Sequence, residues 1–194
     1  MIRPVGVGDV IAVRTSGLGG AAIRLGSVLG GEPSPASHVA IICRRDARGR
    51  WWAIEGRPGG VGWVDAGKYL HGKLARYGNS NAAQPRTGSQ RTAIARTAAG
   101  LLGTGYDWVG GIAGDGLDDM HLTRLAALLD EWWGWTDPAN PGAAPGHIVC
   151  SSAASWAYRT LGLPGPEGVT ERIQPADWWR YNKSLKPAAA HAAP

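Results

Sequence analysis

The stretch "SHVAIICRRDARGRWWAIEG", residues 37–56, decides how the chain folds. Within the segments 38–43 and 50–55, residues 39–43 and 51–54 are β-branched, aromatic or apolar. The polar segment between them carries Asp46 and Gly49. That pattern predicts two antiparallel strands joined by a turn. Two polar residues bracket the hairpin, His38 at its start and Glu55 at its end. A carboxylate that closes an apolar run is costly unless its charge is paired, or it simply ends the strand in water. Register chooses between these. A two- or four-residue loop puts His38 and Glu55 on one face, directly opposite or diagonal. A three-residue loop separates them unless a bulge restores the phase. Cys43, an odd number of positions after His38, falls on the opposite face and is expected in the core; if His38 faces Cys150, Cys43 does not, and a Cys43–Cys150 disulfide is excluded.

Outward from the hairpin, residues 8–15, "GDVIAVRT", alternate like a strand, and residues 16–31 read as a glycine-weakened helix. Residues 32–37 are a Ser/Pro loop, 56–70 mostly loop, and 73–78 a candidate strand. A helix is predicted over 87–103, with a capping box at Thr87 and Gln90 and with Ile94, Ala98, Leu101 and Leu102 at helical spacing. A second is expected over 120–134, with Leu122, Leu125, Leu129 and Trp132 on one stripe. Residues 136–146 form a Pro/Gly loop. The last predicted helix, 151–162, stops at Gly162 and Pro164. Mixed helices and antiparallel strands make the fold class α+β. The length fits a single domain over 1–186, with a flexible tail at 187–194.

The bulk composition narrows the function. The net charge of +5 favours an anionic partner such as cell-wall polymer, but the basic residues are scattered and give no nucleic-acid signature. Phe is absent while Trp numbers ten, a surplus that suits either core packing or stacking on flat or sugar-like ligands. No apolar run is long enough for a membrane span, and the first residues lack the apolar centre of a secretory signal. The expected localisation is therefore cytoplasmic as synthesised. Two cysteines make neither a disulfide framework nor a zinc site of familiar spacing.

Cys150 lies where a short apolar run, 148–149, meets the predicted last helix. A helix start carries unpaired N–H groups and partial positive charge, which lowers a thiol pKa, and the thiolate is the nucleophile. A buried apolar cysteine is the competing explanation. A nucleophilic thiol needs a base. Of the five histidines, His191 is in the tail, His71 and His121 sit in polar surroundings, and His147 points away from Cys150 if the segment is extended. His38 is the candidate base and Glu55 its candidate orienting group.

With these residues in place, the chain resembles the circularly permuted NlpC-type papain-fold hydrolases, the YiiX-like group. The resemblance rests on the order "GDVIAVRT", "SHVAIIC", "WWAIEG", "GYDW" (105–108), "IVCSSAASWAY" (148–158) and "IQPADWW" (173–179), and spans roughly residues 8–180. In that group the histidine strand comes first and the cysteine helix last. The resemblance implies a papain-like fold with a small antiparallel sheet packed against helices. It implies Cys150 as nucleophile, His38 as general base and Glu55 as third residue, with Tyr106, Ser37 and Ser151 as candidate substrate contacts. Residues 111–146 look like an insertion. The implied activity is a cysteine amidase or endopeptidase acting on peptidoglycan stem peptides, with no metal or organic cofactor. The Ala/Gly/Arg/Trp-rich composition suggests a bacterial or bacteriophage source, so contacts in a virion or tail assembly are a further expectation. A lipid acyl hydrolase or acyltransferase and a non-catalytic papain-fold module are the alternatives.

Overall fold

The structure is a computed structural model that describes residues 5–16, 18–29, 33–57, 59–71, 77–79, 86–106, 147–167 and 173–184. Its centre is a five-stranded antiparallel sheet. The strands are β1 (Val10–Val13), β2 (His38–Arg45), β3 (Trp51–Arg57), β4 (Gly60–Asp65) and β5 (Tyr77–Asn79), in the order β4-β3-β2-β1-β5. Around it lie helices α1 (Leu18–Leu29), α2 (Gly67–Leu70), α3 (Gly88–Ala99), α4 (Cys150–Thr160) and α5 (Pro175–Ser184). Two short parallel strands, β6 (Gly105–Tyr106) and β7 (His147–Ile148), lead from α3 and into α4. The α+β expectation holds. The expected helix over 120–134, the loop over 136–146, the insertion over 111–146 and the tail lie outside the described residues.

Strand alternation divides the apolar side chains between two cores. Val10, Ala12, Val39, Ile41 and Ile54 face one side, packed with Ile94 and Ala98 of α3, Ala153, Ala154, Ala157 and Tyr158 of α4, and Trp178 of α5. Ile11, Val13, Ala40, Ile42 and Ala53 face the other, packed with Ala66 and Tyr69 at α2. Both β1 and the middle of β2 are buried on both faces, which is why their sequences read as continuous apolar runs.

The hairpin reaches its register by a route the sequence did not predict. Arg45 pairs with Trp51 across a loop of residues 46–50, longer than either favoured length. Asp46 Oδ1 accepts hydrogen bonds from the N–H groups of Arg48 and Arg50, and Gly49 takes a φ of 80°, which closes that loop. The register near the turn would put His38 and Glu55 on opposite faces. A bulge between Ile42 and Arg44 then shifts it by one, so that Ile42 pairs with Ala53 and Ile41 with Ile54. Beyond the bulge His38 and Glu55 share a face as diagonal neighbours.

A second correction concerns residues 56–70. They complete β3 and form β4 and α2, with Gly59 and Gly60 at positive φ where β3 turns into β4. Glycines at 60 and 62 weaken the strand signal in "GVGWVD", yet β4 pairs with β3 over its whole length. The capping box of α3 is present as predicted, with Gln90 N–H bonded to Thr87 Oγ1 and Thr87 N–H to Gln90 Oε1. The helix closes at Gly100 rather than Gly103.

Candidate active site

Helix α4 begins at Cys150, with Val149 as an extended N-cap whose side chain makes no capping bond. Three contacts fix this helix. Trp178 of α5 donates its indole N–H to the Ser151 carbonyl at 3.1 Å. The Tyr158 hydroxyl, further along the helix, donates to the Gly8 carbonyl. The third contact needs glycine: a Cβ on Gly56 of β3 would lie 3.2 Å from the Cys150 nitrogen and 3.3 Å from the Val149 carbonyl carbon. The backbone of α4 therefore rests directly on β3. The Tyr106 ring edge reaches the same point, 3.3 Å from that Cβ position, which places Tyr106 beside the start of α4.

At this end of the hairpin His38 meets Cys150. His38 opens β2 and interacts electrostatically with the Cys150 thiol on one side. On the other its Nε2 lies 2.9 Å from Glu55 Oε2, which leaves Nδ1 for the thiol. The backbone N–H groups of Val39 and Ser151 are also directed at Cys150. Glu55 is buried and carries two further donors that the sequence did not suggest. The Tyr69 hydroxyl donates to Oε2 at 2.5 Å and Lys68 Nζ to Oε1 at 3.2 Å. Both come from α2, inside the segment expected to be loop. A buried carboxylate demands such donors, but nothing in "GKYL" marks which residues supply them.

The electrostatics follow from the contacts. Burial alone pushes the Cys150 thiol up. The His38 charge and hydrogen bond, with the two backbone N–H groups, outweigh it and bring the thiol below its ordinary value. Burial alone would lower His38. The charge and hydrogen bond of Cys150 and those of Glu55 together raise it to about 10. Glu55 resists burial through the hydrogen bond and charge of His38, then through Tyr69 and Lys68, and is held at about 2. The arrangement is a thiolate–imidazolium pair backed by a fixed carboxylate.

The other expected residues fall as follows. Ser37 is buried and its hydroxyl is engaged by Thr15 N–H, Thr15 Oγ1 and Arg24 Nη1, so it anchors the chain just before His38. Ser151 is 1% exposed, and among the described residues its hydroxyl has no hydrogen-bond partner. Cys43 faces away from His38, as parity requires, but shares the helical-side core with Cys150. The expectation that Cys43 and Cys150 occupy different faces therefore fails. The site straddles the sheet: His38 and Glu55 belong to one face, and Cys150 approaches from the other, over the end of β2. Val39, beside Cys150, and Cys43 are separated by about 13 Å of strand, and both cysteines are free thiols. Burial raises Cys43 to about 12. His71 is exposed, as expected, and His121 and His191 lie outside the described residues. Among the described residues no group of three or more His, Cys, Asp or Glu side chains is placed to hold a metal ion, and no helix is long and apolar enough to cross a membrane.

The crystal structure of the metalloprotein YiiX from Escherichia coli O157:H7 is similar to this chain. The TM-score is 0.54 and the sequence identity 19%, over 83% of this chain and 69% of that one. That likeness defines the class: an α+β fold with a small antiparallel sheet packed against helices. No family model matches the sequence, and no curated protein matches it.

Proposed function

We propose that the protein is a cysteine hydrolase of the circularly permuted, papain-like NlpC type, acting as an amidase or endopeptidase on peptidoglycan stem peptides. One observation carries the proposal: a buried Cys150 at a helix start, in electrostatic reach of a histidine that is itself held by Glu55 at 2.9 Å. Nucleophile, base and orienting group are in reach of one another, as covalent catalysis requires. The order of the elements, with the histidine strand early and the cysteine helix late, and the likeness to YiiX support the permuted family.

The chemistry follows from the groups present. The Cys150 thiolate attacks the substrate carbonyl carbon, and the C=O pair moves onto oxygen. Backbone N–H groups at the start of α4 stabilise that oxyanion. The His38 imidazolium gives its proton to the leaving amine, the C–N bond breaks and an acyl-enzyme remains. Water, deprotonated by the now neutral His38, attacks the thioester and releases the acid, which restores the thiolate and the imidazolium. Glu55 stays ionised throughout and holds the ring.

Thiol reactivity tests the proposal. In a Cys43→Ser background, Cys150 is expected to react rapidly with iodoacetamide well below the free-thiol pKa of about 8.5, and to lose that reactivity in His38→Ala. An ordinary thiol profile, unchanged in His38→Ala, would leave a non-catalytic module as the better account. For the substrate, digestion of purified peptidoglycan should release new amino groups with the intact protein and not with Cys150→Ala. A lipid acyl substrate is the second reading, favoured by the exposed Leu25 and Val28 on α1. Hydrolysis of acyl-amide lipids in place of peptidoglycan would select it.

A further inference from the structure

We propose that Tyr69 is a positioning residue for the Cys150–His38 pair, clamping Glu55 on the imidazole, and that Lys68 tempers the charge of the same carboxylate. This rests on the hydrolase proposal above and extends it to residues that touch neither thiol nor substrate.

The clamp is visible in the geometry. A carboxylate offers about four acceptor positions. On Oε2 two donors converge, His38 Nε2 at 2.9 Å and the Tyr69 hydroxyl at 2.5 Å. Among the described residues Oε1 takes only Lys68 Nζ at 3.2 Å, from a side chain 48% exposed. Tyr69 is buried, its ring centroid 5.9 Å from that of His38 and beneath the Lys68 ammonium at 4.5 Å. The single turn of α2 is itself pinned. Ala66 N–H donates to the Trp51 carbonyl, and Gly67 N–H donates to Asp65 Oδ1. Consecutive residues of one short, anchored turn thus reach both oxygens of the carboxylate. Burial and the adjacent Glu55 charge raise the Tyr69 phenol above its ordinary value, so it remains a donor.

The groups acting on Glu55 come from every element around it: His38 from β2, Lys68 and Tyr69 from α2, Arg57 on β3, whose charge is felt at Tyr69, and Cys150 of α4 through His38. Tyr69 and Lys68 act on this set in opposite senses. Without the Tyr69 hydroxyl, the carboxylate turns towards Lys68 and the imidazolium loses its partner. Without Lys68, the carboxylate stays on Tyr69 and His38 with less competition from a cation.

An NMR titration of ¹⁵N-histidine-labelled protein separates these effects. In Tyr69→Phe the His38 deprotonation midpoint is expected to fall by about one pH unit or more towards its ordinary value. In Lys68→Met it is expected to hold or rise. A residue that only stabilised the fold would shift the melting temperature and leave both midpoints in place. An unchanged or raised midpoint in Tyr69→Phe overturns the inference. A fall in Lys68→Met also overturns it, by making Lys68 the orienting residue. Lys68→Met, altered at a half-exposed position, decides the matter if Tyr69→Phe does not fold. If His38 of the unaltered protein titrates near 6.5, the hydrolase proposal falls with it. If that midpoint is high and only Tyr69→Phe fails to move it, this inference alone falls.

Discussion

The two ends of the β2–β3 hairpin each hold an ion pair at 2.9 Å. At the turn, Arg50 Nε meets Asp46 Oδ2, with side chains 48% and 22% exposed. At the open end, His38 meets Glu55, with side chains 13% and 2% exposed. Equal separation hides unequal consequence. At the turn, water screens the charges, and arginines lie over tryptophan rings: Arg44 over Trp63 at 4.8 Å, Arg45 over Trp51 and Arg50 over Trp52 at 5.5 Å. There an ion pair shapes a loop and stabilises little. At the open end, removing either partner strands a charge away from water. Burial, rather than distance, makes one end chemical.

The largest effect that could break this comparison lies at the thiol. Cys150→Ala and His38→Ala should each lower hydrolysis by at least about 10³-fold, measured by amine release from peptidoglycan. Equal activity in either variant would remove the open end from catalysis. Gly56→Val should come next. Its side chain would have to displace the start of α4, so Cys150 alkylation at neutral pH should slow by roughly 10-fold or more while Cys43 remains unreactive.

Glu55→Gln should narrow the pH range. Glu55 helps raise His38 from 6.5 to about 10, so its loss should bring the alkaline limb of activity down. The linked stability has a defined sign. The His38 contribution is full below its unfolded value of 6.5 and is lost as pH rises through about 10. The Glu55 contribution is full above its unfolded value of 4.5 and is lost as pH falls through about 2. For these groups stability is therefore greatest between 4.5 and 6.5, and thermal melts of Glu55→Gln against the unaltered protein should differ most there. At the turn, Arg50→Ala should shift the melting temperature by less than about 2 °C. A larger shift would show that exposure does not set the difference between the two ends. Ser151→Ala should have the smallest effect, leaving stability equal or slightly higher, because the hydroxyl it removes is buried without a partner among the described residues.

Much of this was legible in the sequence because strand alternation and helix capping are local. His38 and Glu55 announced themselves as polar ends of apolar strands, and Cys150 by standing where a strand-like run gives way to a helix. Their common face was legible only in outline. The bulge at Cys43 that supplies the phase has no residue signature, and the 46–50 loop is closed by Asp46, whose side-chain bonds depend on the folded turn. Tyr69 and Lys68 were illegible for a different reason. They matter only to a carboxylate brought to them by tertiary packing, and the glycines around them weaken the signal of β4. The shared core of Cys43 and Cys150 was missed because parity along one strand says nothing about a helix arriving over its end.

The separation of His38 and Cys150 along the chain has a consequence for synthesis. A growing chain completes the base, the carboxylate and the clamp before the nucleophile is made. Until α4 docks on Gly56, Cys150 has neither imidazolium nor aligned backbone donors and carries an ordinary thiol. Nascent and partly folded chains are therefore chemically quiet, and reactivity appears only once α4 has docked.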